Sequence, residues 1–119
     1  MTESWEVEYT DEFYVWFDGL TVEEQDWIFA SVEQLQLEGP ALGRPLVDTI
    51  RGSRFANMKE LRPPANLRIL FAFDPRRSAI LLIGGNKTNQ WNHWYQVMIP
   101  VADALYEQYL AELESEGLI

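Results

Sequence analysis

Arg62 and Arg68 stand on either side of Pro63-Pro64-Ala65-Asn66. The flanking stretches, residues 56–61 and 67–74, read as strands, and the prolyl segment between them suits a hairpin. Alternation along the first strand puts Arg62 with Glu60 on one face and Lys59 with Leu61 on the other. Along the second it turns Arg68 away from Leu67, Ile69, Phe71 and Phe73. The two guanidiniums then sit near each other at the base of the hairpin, where they repel unless an anion lies between them. A phosphate satisfies both through paired, charge-assisted hydrogen bonds. An Arg62–Glu60 or Arg68–aspartate ion pair satisfies them without a ligand. Spacing leaves both open.

Further along, Gly84-Gly85-Asn86-Lys87-Thr88 has the composition of a phosphate-cradling loop. It lacks the Walker spacing, in which the second glycine directly precedes the lysine, and this speaks against nucleoside triphosphate binding. Lys87 follows a strand end, where it can meet an anion or stay a solvated turn lysine. His93, the only histidine, sits in Trp91-Asn92-His93-Trp94-Tyr95. It has the intrinsic pKa of a general acid or base, and equally suits a packed or surface position. One histidine and no cysteine leave no multi-histidine or thiolate metal site, so neither metal nor cofactor is expected. Trp91, Trp94 and Tyr95 can stack on bases or pack as core at helical spacing. There is no G-x-S-x-G nucleophile motif, and Ser53 and Ser78 fall in turns.

The charge pattern surrounds these candidates. All nine Lys and Arg residues lie between Arg44 and Lys87, with Asp48, Glu60 and Asp74 as the acids among them, a local charge of +6. The flanks hold sixteen acidic residues and no basic one, and the chain as a whole carries −10. Clustered cations focus a field on anionic ligands such as phosphates. Arg76 and Arg77, in the turn at residues 74–78, fall at the opposite end of the strands from Arg62 and read as plain surface charge.

The elements that must position these residues follow from periodicity. Trp5-Glu6-Val7-Glu8-Tyr9 alternates as a half-solvated strand. Thr10-Asp11 caps a short helix with Phe13, Trp16, Phe17 and Leu20 on one stripe, stopped by Gly19. Thr21-Val22-Glu23-Glu24 is a capping box opening a second helix to about Glu38, with Ile28, Val32 and Leu35 inward. The two helices form an αα-hairpin. A short strand at 46–50 and strands at 56–61, 67–74 and 79–84 follow, the third apolar on both faces and therefore central. A helical segment starts at Thr88 or Asn89, and Pro100 suits the first turn of a final helix bearing Ala102, Leu105, Tyr106, Tyr109 and Leu113. The expected architecture is α+β: a small antiparallel sheet with an N-terminal αα-hairpin and a C-terminal helix packed on it, in one domain over residues 1–119. The acidic N-terminus is no signal peptide, and the longest apolar run, residues 79–83, is far too short to cross a bilayer. A cytoplasmic protein without membrane contact is the expectation.

The Lys59-Glu60-Leu61-Arg62 strand, the Leu67-Arg68-Ile69-Leu70-Phe71 strand after it, and the apolar strand ending in Gly84-Gly85-Asn86-Lys87-Thr88 together resemble the RelE/ParE toxin superfamily. The similarity is to its phage-derived, HigB-like branch in bacterial type II toxin–antitoxin systems, and it runs over about residues 5–113. It implies a compact, metal-independent endoribonuclease that cleaves mRNA on the ribosome by attack of a ribose 2′-hydroxyl on the adjacent phosphate. By position it assigns Arg62, Arg68 and Lys87 to phosphate and transition-state contact, and His93 and Tyr95 to acid–base or stacking roles. Lys59, Arg54 and Trp91 fall to RNA binding. It also implies a helix-turn-helix antitoxin as partner. Members of the branch are usually basic, whereas this chain is acidic, which suits a protein target. The alternatives are therefore a ParE-like toxin acting on DNA gyrase and a degenerate relative that only binds its antitoxin.

Overall fold

A computed structural model describes residues 4–86 and 88–119. In chain order the elements are β1 (Glu6–Tyr9), α1 (Asp11–Asp18), α2 (Val22–Glu38), a 3-10 turn (Gly39–Ala41), β2 (Val47–Thr49), β3 (Lys59–Leu61), β4 (Leu67–Phe73), β5 (Ser78–Asn86) and α3 (Trp91–Ser115). The caps form as their residue types dictate. The Thr10 hydroxyl accepts from the Phe13 amide at 2.9 Å, and Thr21 and Glu24 complete a reciprocal capping box.

The sheet order is β1-β5-β4-β3-β2, with β1 parallel to β5 and every other pair antiparallel. The sheet is thus mixed rather than wholly antiparallel, because the αα-hairpin and the three strands after it carry the chain back to a β5 aligned with β1. β4 is central, as its two apolar faces require. Leu67, Ile69 and Phe71 pack under α1 and α2 with Phe13, Ile28 and Leu35. On the opposite face Leu70, Ala72, Ile80 and Leu82 meet Ile99, Ala102 and Tyr106 of α3. Each face buries several large side chains completely, at about 1.5–3 kcal/mol apiece.

Two expected boundaries move. β5 runs through Gly84 and Gly85 to Asn86, so these glycines are strand residues. Their function is room: a Cβ on Gly84 would lie 2.2 Å from the Trp16 ring, and one on Gly85 would lie 2.3 Å from Trp94. The two indoles press on β5 from opposite faces, which explains the paired glycines better than a phosphate loop does. The final helix also begins earlier than Pro100, since α3 is continuous from Trp91 with the proline inside it. Both Pro100 and Gln96 are exposed, so the carbonyl left without its helical donor faces water. Burial of Ile99 and Ala102 alongside holds the helix together across the break.

Among the described residues no helix is long and apolar enough to cross a membrane.

Candidate active site

The β3–β4 turn sets the geometry. Ala65 and Asn66 both take left-handed backbone, with φ of 67° and 59°, and so reverse the chain within residues 63–67. Leu61 pairs with Ile69 at the last rung of the ladder, and one step further Arg62 faces Arg68. Both side chains project to the α3 face, together with Glu60.

Glu60 is the anion between the guanidiniums. Its carboxylate is almost wholly buried; one oxygen accepts from Arg62 Nη2 at 2.8 Å and the other lies 3.6 Å from Arg68 Nε. Tyr95 of α3 donates its hydroxyl to that same second oxygen. The structural ion pair and the convergence of two arginines therefore coexist. The pair is not saturated: the Nε–H groups of both Arg62 and Arg68 are buried without a hydrogen-bond acceptor among the described residues. Arg68 also donates to the Leu67 carbonyl at 3.0 Å and stacks on Trp91, its guanidinium 5.0 Å from the ring centre. Trp91 and Tyr95, one turn apart on α3, thus flank Arg68 from the same side of the helix.

The electrostatics follow from these contacts. The Glu60 hydrogen bond raises the Arg62 pKa further, so its charge is permanent. Burial, and then the hydrogen bond to Glu60, push the Tyr95 phenol above its ordinary value and keep it a neutral proton donor. Asp48, bound to Arg44 at 3.1 Å and 3.6 Å from Arg62, is held below the usual carboxylate range, first by Arg44. A cleft of about 640 Å³ opens beside the cluster, lined by Glu60, Arg62 and Tyr95 together with Arg44, Asp48 and Arg51.

The other candidates lie elsewhere. Lys59 is on the opposite face of the sheet, beside Leu42 and Val47. Arg54 binds Glu107 at 2.8 Å, and its amide caps the buried Asp103 of α3, so it ties a loop to the helix. His93 is exposed two residues from both Trp91 and Tyr95, which turns it to another side of α3. Lys87 lies outside the described residues. Arg76 is not plain surface charge: it joins Glu8 and Asp74 at 3.0 Å each and Tyr109 at 2.6 Å. Arg77 lies over the Trp5 ring at 4.2 Å. Sequence reasoning assigned Glu60 no role beyond an ion pair and did not single out Arg44 or Arg51. Alternation could have placed Glu60 beside both arginines, but its contact with Tyr95 spans two distant elements.

This arrangement of helices and sheet is the RelE fold. The structure of isolated Escherichia coli RelE toxin superposes with a TM-score of 0.58 at 8% identity, covering 77% of this chain and 96% of RelE. A chain of the Mycobacterium tuberculosis RelBE2 toxin–antitoxin complex gives 0.57 at 14% identity, covering 71% and 99%. At such identities the likeness is one of fold. The chain itself belongs to the phage-derived Gp49-like protein family (DUF891), which it matches over residues 15–107. Two M. tuberculosis relatives are much nearer in sequence. "Putative toxin HigB2" is 52% identical over 103 residues, which is 83% of this chain but only 51% of HigB2. "Putative toxin HigB3" is 48% identical over 103 residues, 86% of this chain and 90% of that protein. The chain thus spans about half the length of HigB2.

Proposed function

We propose that this chain is the toxin of a type II toxin–antitoxin system and an endoribonuclease acting at the Arg62–Arg68 pair. The observation that carries the reading is the pair of facing guanidiniums, bridged by Glu60 and each retaining a buried Nε–H without an acceptor among the described residues. A phosphate supplies the acceptors they lack. Attack of the ribose 2′-hydroxyl on that phosphate forms a bond from the 2′-oxygen to phosphorus and breaks the bond to the 5′-oxygen, leaving a 2′,3′-cyclic phosphate and a 5′-hydroxyl. Arg62 and Arg68 neutralise the charge that builds on the phosphorane. Glu60 takes the 2′-proton once its guanidinium partners have turned to the phosphate, and Tyr95 gives a proton to the leaving oxygen. The names of the two M. tuberculosis relatives and the RelE fold support this reading.

The partner is an antitoxin, as in the M. tuberculosis RelBE2 and E. coli RelBE complexes, and a helix-turn-helix protein encoded beside this gene is the specific candidate. Messenger RNA on the ribosome is the proposed substrate.

One observation favours a protein target instead. α1, α2 and β1 enclose an apolar groove of about 650 Å³ containing Phe13, Phe17 and Phe29 beside Glu33, in a flank without cations. Mapping of RNA 5′ ends after induction separates the two. New 5′-hydroxyl ends that vanish in Arg68→Ala are expected. Growth arrest with DNA damage and no new RNA ends would replace the nuclease with a gyrase-directed toxin.

A further inference from the structure

The cleft beside Glu60 is larger than one phosphate needs. Arg44 and Arg51 line it together with Arg62 and Tyr95. Arg44 shares Asp48 with Arg62, so one carboxylate is spread over two guanidiniums. Arg51 differs from the other arginines of the cleft in one respect: it has no carboxylate partner among the described residues. Its backbone is nonetheless well held. The preceding residue, Ile50, is buried and donates its amide to Met58 O at 3.0 Å, and the following Gly52 takes left-handed backbone at φ 89°. A cation without a carboxylate partner among the described residues, on the same open cleft as Arg62, extends the field that an anion meets there. Single-stranded nucleic acid is bound by such charged grooves, which follow its regularly spaced phosphates.

We infer that Arg51, supported by Arg44, forms a second phosphate subsite, which holds the phosphate neighbouring the one at Arg62 and Arg68. The inference rests on the ribonuclease reading above. It makes the preferred substrate a strand of several nucleotides and sets its path from the Arg62–Arg68 pair past Tyr95 to the β2 end.

The test uses 2′-O-methyl RNA, which lacks the attacking hydroxyl and so binds without being cut. Fluorescence anisotropy is read across a salt series with a dinucleotide carrying one phosphate and with a hexanucleotide. For the hexanucleotide, Arg51→Ala is expected to weaken binding several-fold at low salt and to reduce the slope of log K against log salt by about 0.7, the value for one phosphate contact on a single strand. Dinucleotide binding is expected to stay unchanged in Arg51→Ala and to fall in Arg62→Ala. Arg77→Ala, at the far end of the sheet, is expected to leave both unchanged. An unaltered hexanucleotide slope in Arg51→Ala, with Arg62→Ala still impaired, overturns the second subsite and spares the first. An equal loss for both oligonucleotides in Arg51→Ala also overturns it, because Arg51 would then serve the scissile phosphate itself. No binding of either oligonucleotide by the unmodified chain overturns both readings.

Discussion

The two ends of the sheet carry clusters built from the same side chains. At one, Arg62 and Arg68 meet Glu60 and Tyr95; at the other, Arg76 meets Asp74, Glu8 and Tyr109. Both tyrosines come from α3, nearly four turns apart and so on one side of the helix. The difference is stoichiometry. In the Arg76 cluster two carboxylates surround one guanidinium, and Asp74 also accepts from the Arg76 amide at 2.7 Å and the Ser78 amide at 3.2 Å. There carboxylates outnumber the cation and Asp74 is sealed from water. Around Glu60 two carboxylates, Glu60 and Asp48, serve three guanidiniums, those of Arg44, Arg62 and Arg68; two Nε–H groups lack acceptors among the described residues, and a cleft adjoins. The first arrangement is a lock, and the second has capacity for another anion. Residue types alone do not separate the two; the ratio of cations to anions and the access of solvent do.

The largest expected effect is on turnover. Arg68→Ala and Arg62→Ala each are expected to lower RNA cleavage by about 10²–10³-fold, the loss typical of removing one donor to a developing oxyanion. Soluble variants that still arrest growth fully would make the Glu60 cluster a second lock. Next is stability. Arg76→Ala is expected to cost on the order of 2–3 kcal/mol in denaturant unfolding while cleavage per folded molecule stays near its starting value. That is less than the 3–5 of a wholly buried pair, because backbone amides still serve Asp74 and the guanidinium is partly solvated. If Arg76→Ala removes cleavage without destabilising, the contrast fails from the other side.

The smallest effect concerns the tyrosines. Burial raises both phenols above 10.0, and the carboxylates they donate to add to it. Such a group contributes stability that is complete below about pH 10 and is lost as pH rises toward the folded value. Stability is therefore expected to decline from about pH 10 upward, with a shallower decline in Tyr109→Phe. At neutral pH Tyr109→Phe is expected to cost about 1 kcal/mol of stability and no activity. Tyr95→Phe is expected to lose activity well beyond any change in stability, since it removes the proposed proton donor.

Local signals in the chain were sufficient for much of this. The Thr21–Glu24 capping box, the stripe of Phe13, Trp16 and Phe17, and the two-faced apolar run of β4 each specify an element from near neighbours. Alternation about Pro63–Asn66 was enough to bring Arg62 and Arg68 together. What escaped depends on contacts distant in sequence. Glu8 and Tyr109 join the Arg76 cluster from near the two ends of the chain, so nothing around Arg76 distinguishes it from a solvated turn residue. Gly84 and Gly85 mimic a phosphate loop until Trp16 and Trp94 are placed against them. Pro100 looks like a helix start because its effect on the preceding turn is local, whereas the burial that carries α3 across it is tertiary.

That proline divides α3 in a further sense. Pro100 has no amide hydrogen, so the hydrogen-bond ladder is interrupted between the stretch bearing Trp91 and Tyr95 and the stretch bearing Tyr106 and Tyr109. Native-state hydrogen exchange is expected to report two cooperative units along one helix, with residues 91–99 opening at lower free energy than residues 101–115. The end of α3 that supplies Tyr95 is thus expected to open without the other half, which Tyr109 fastens to the sheet through the Arg76 lock.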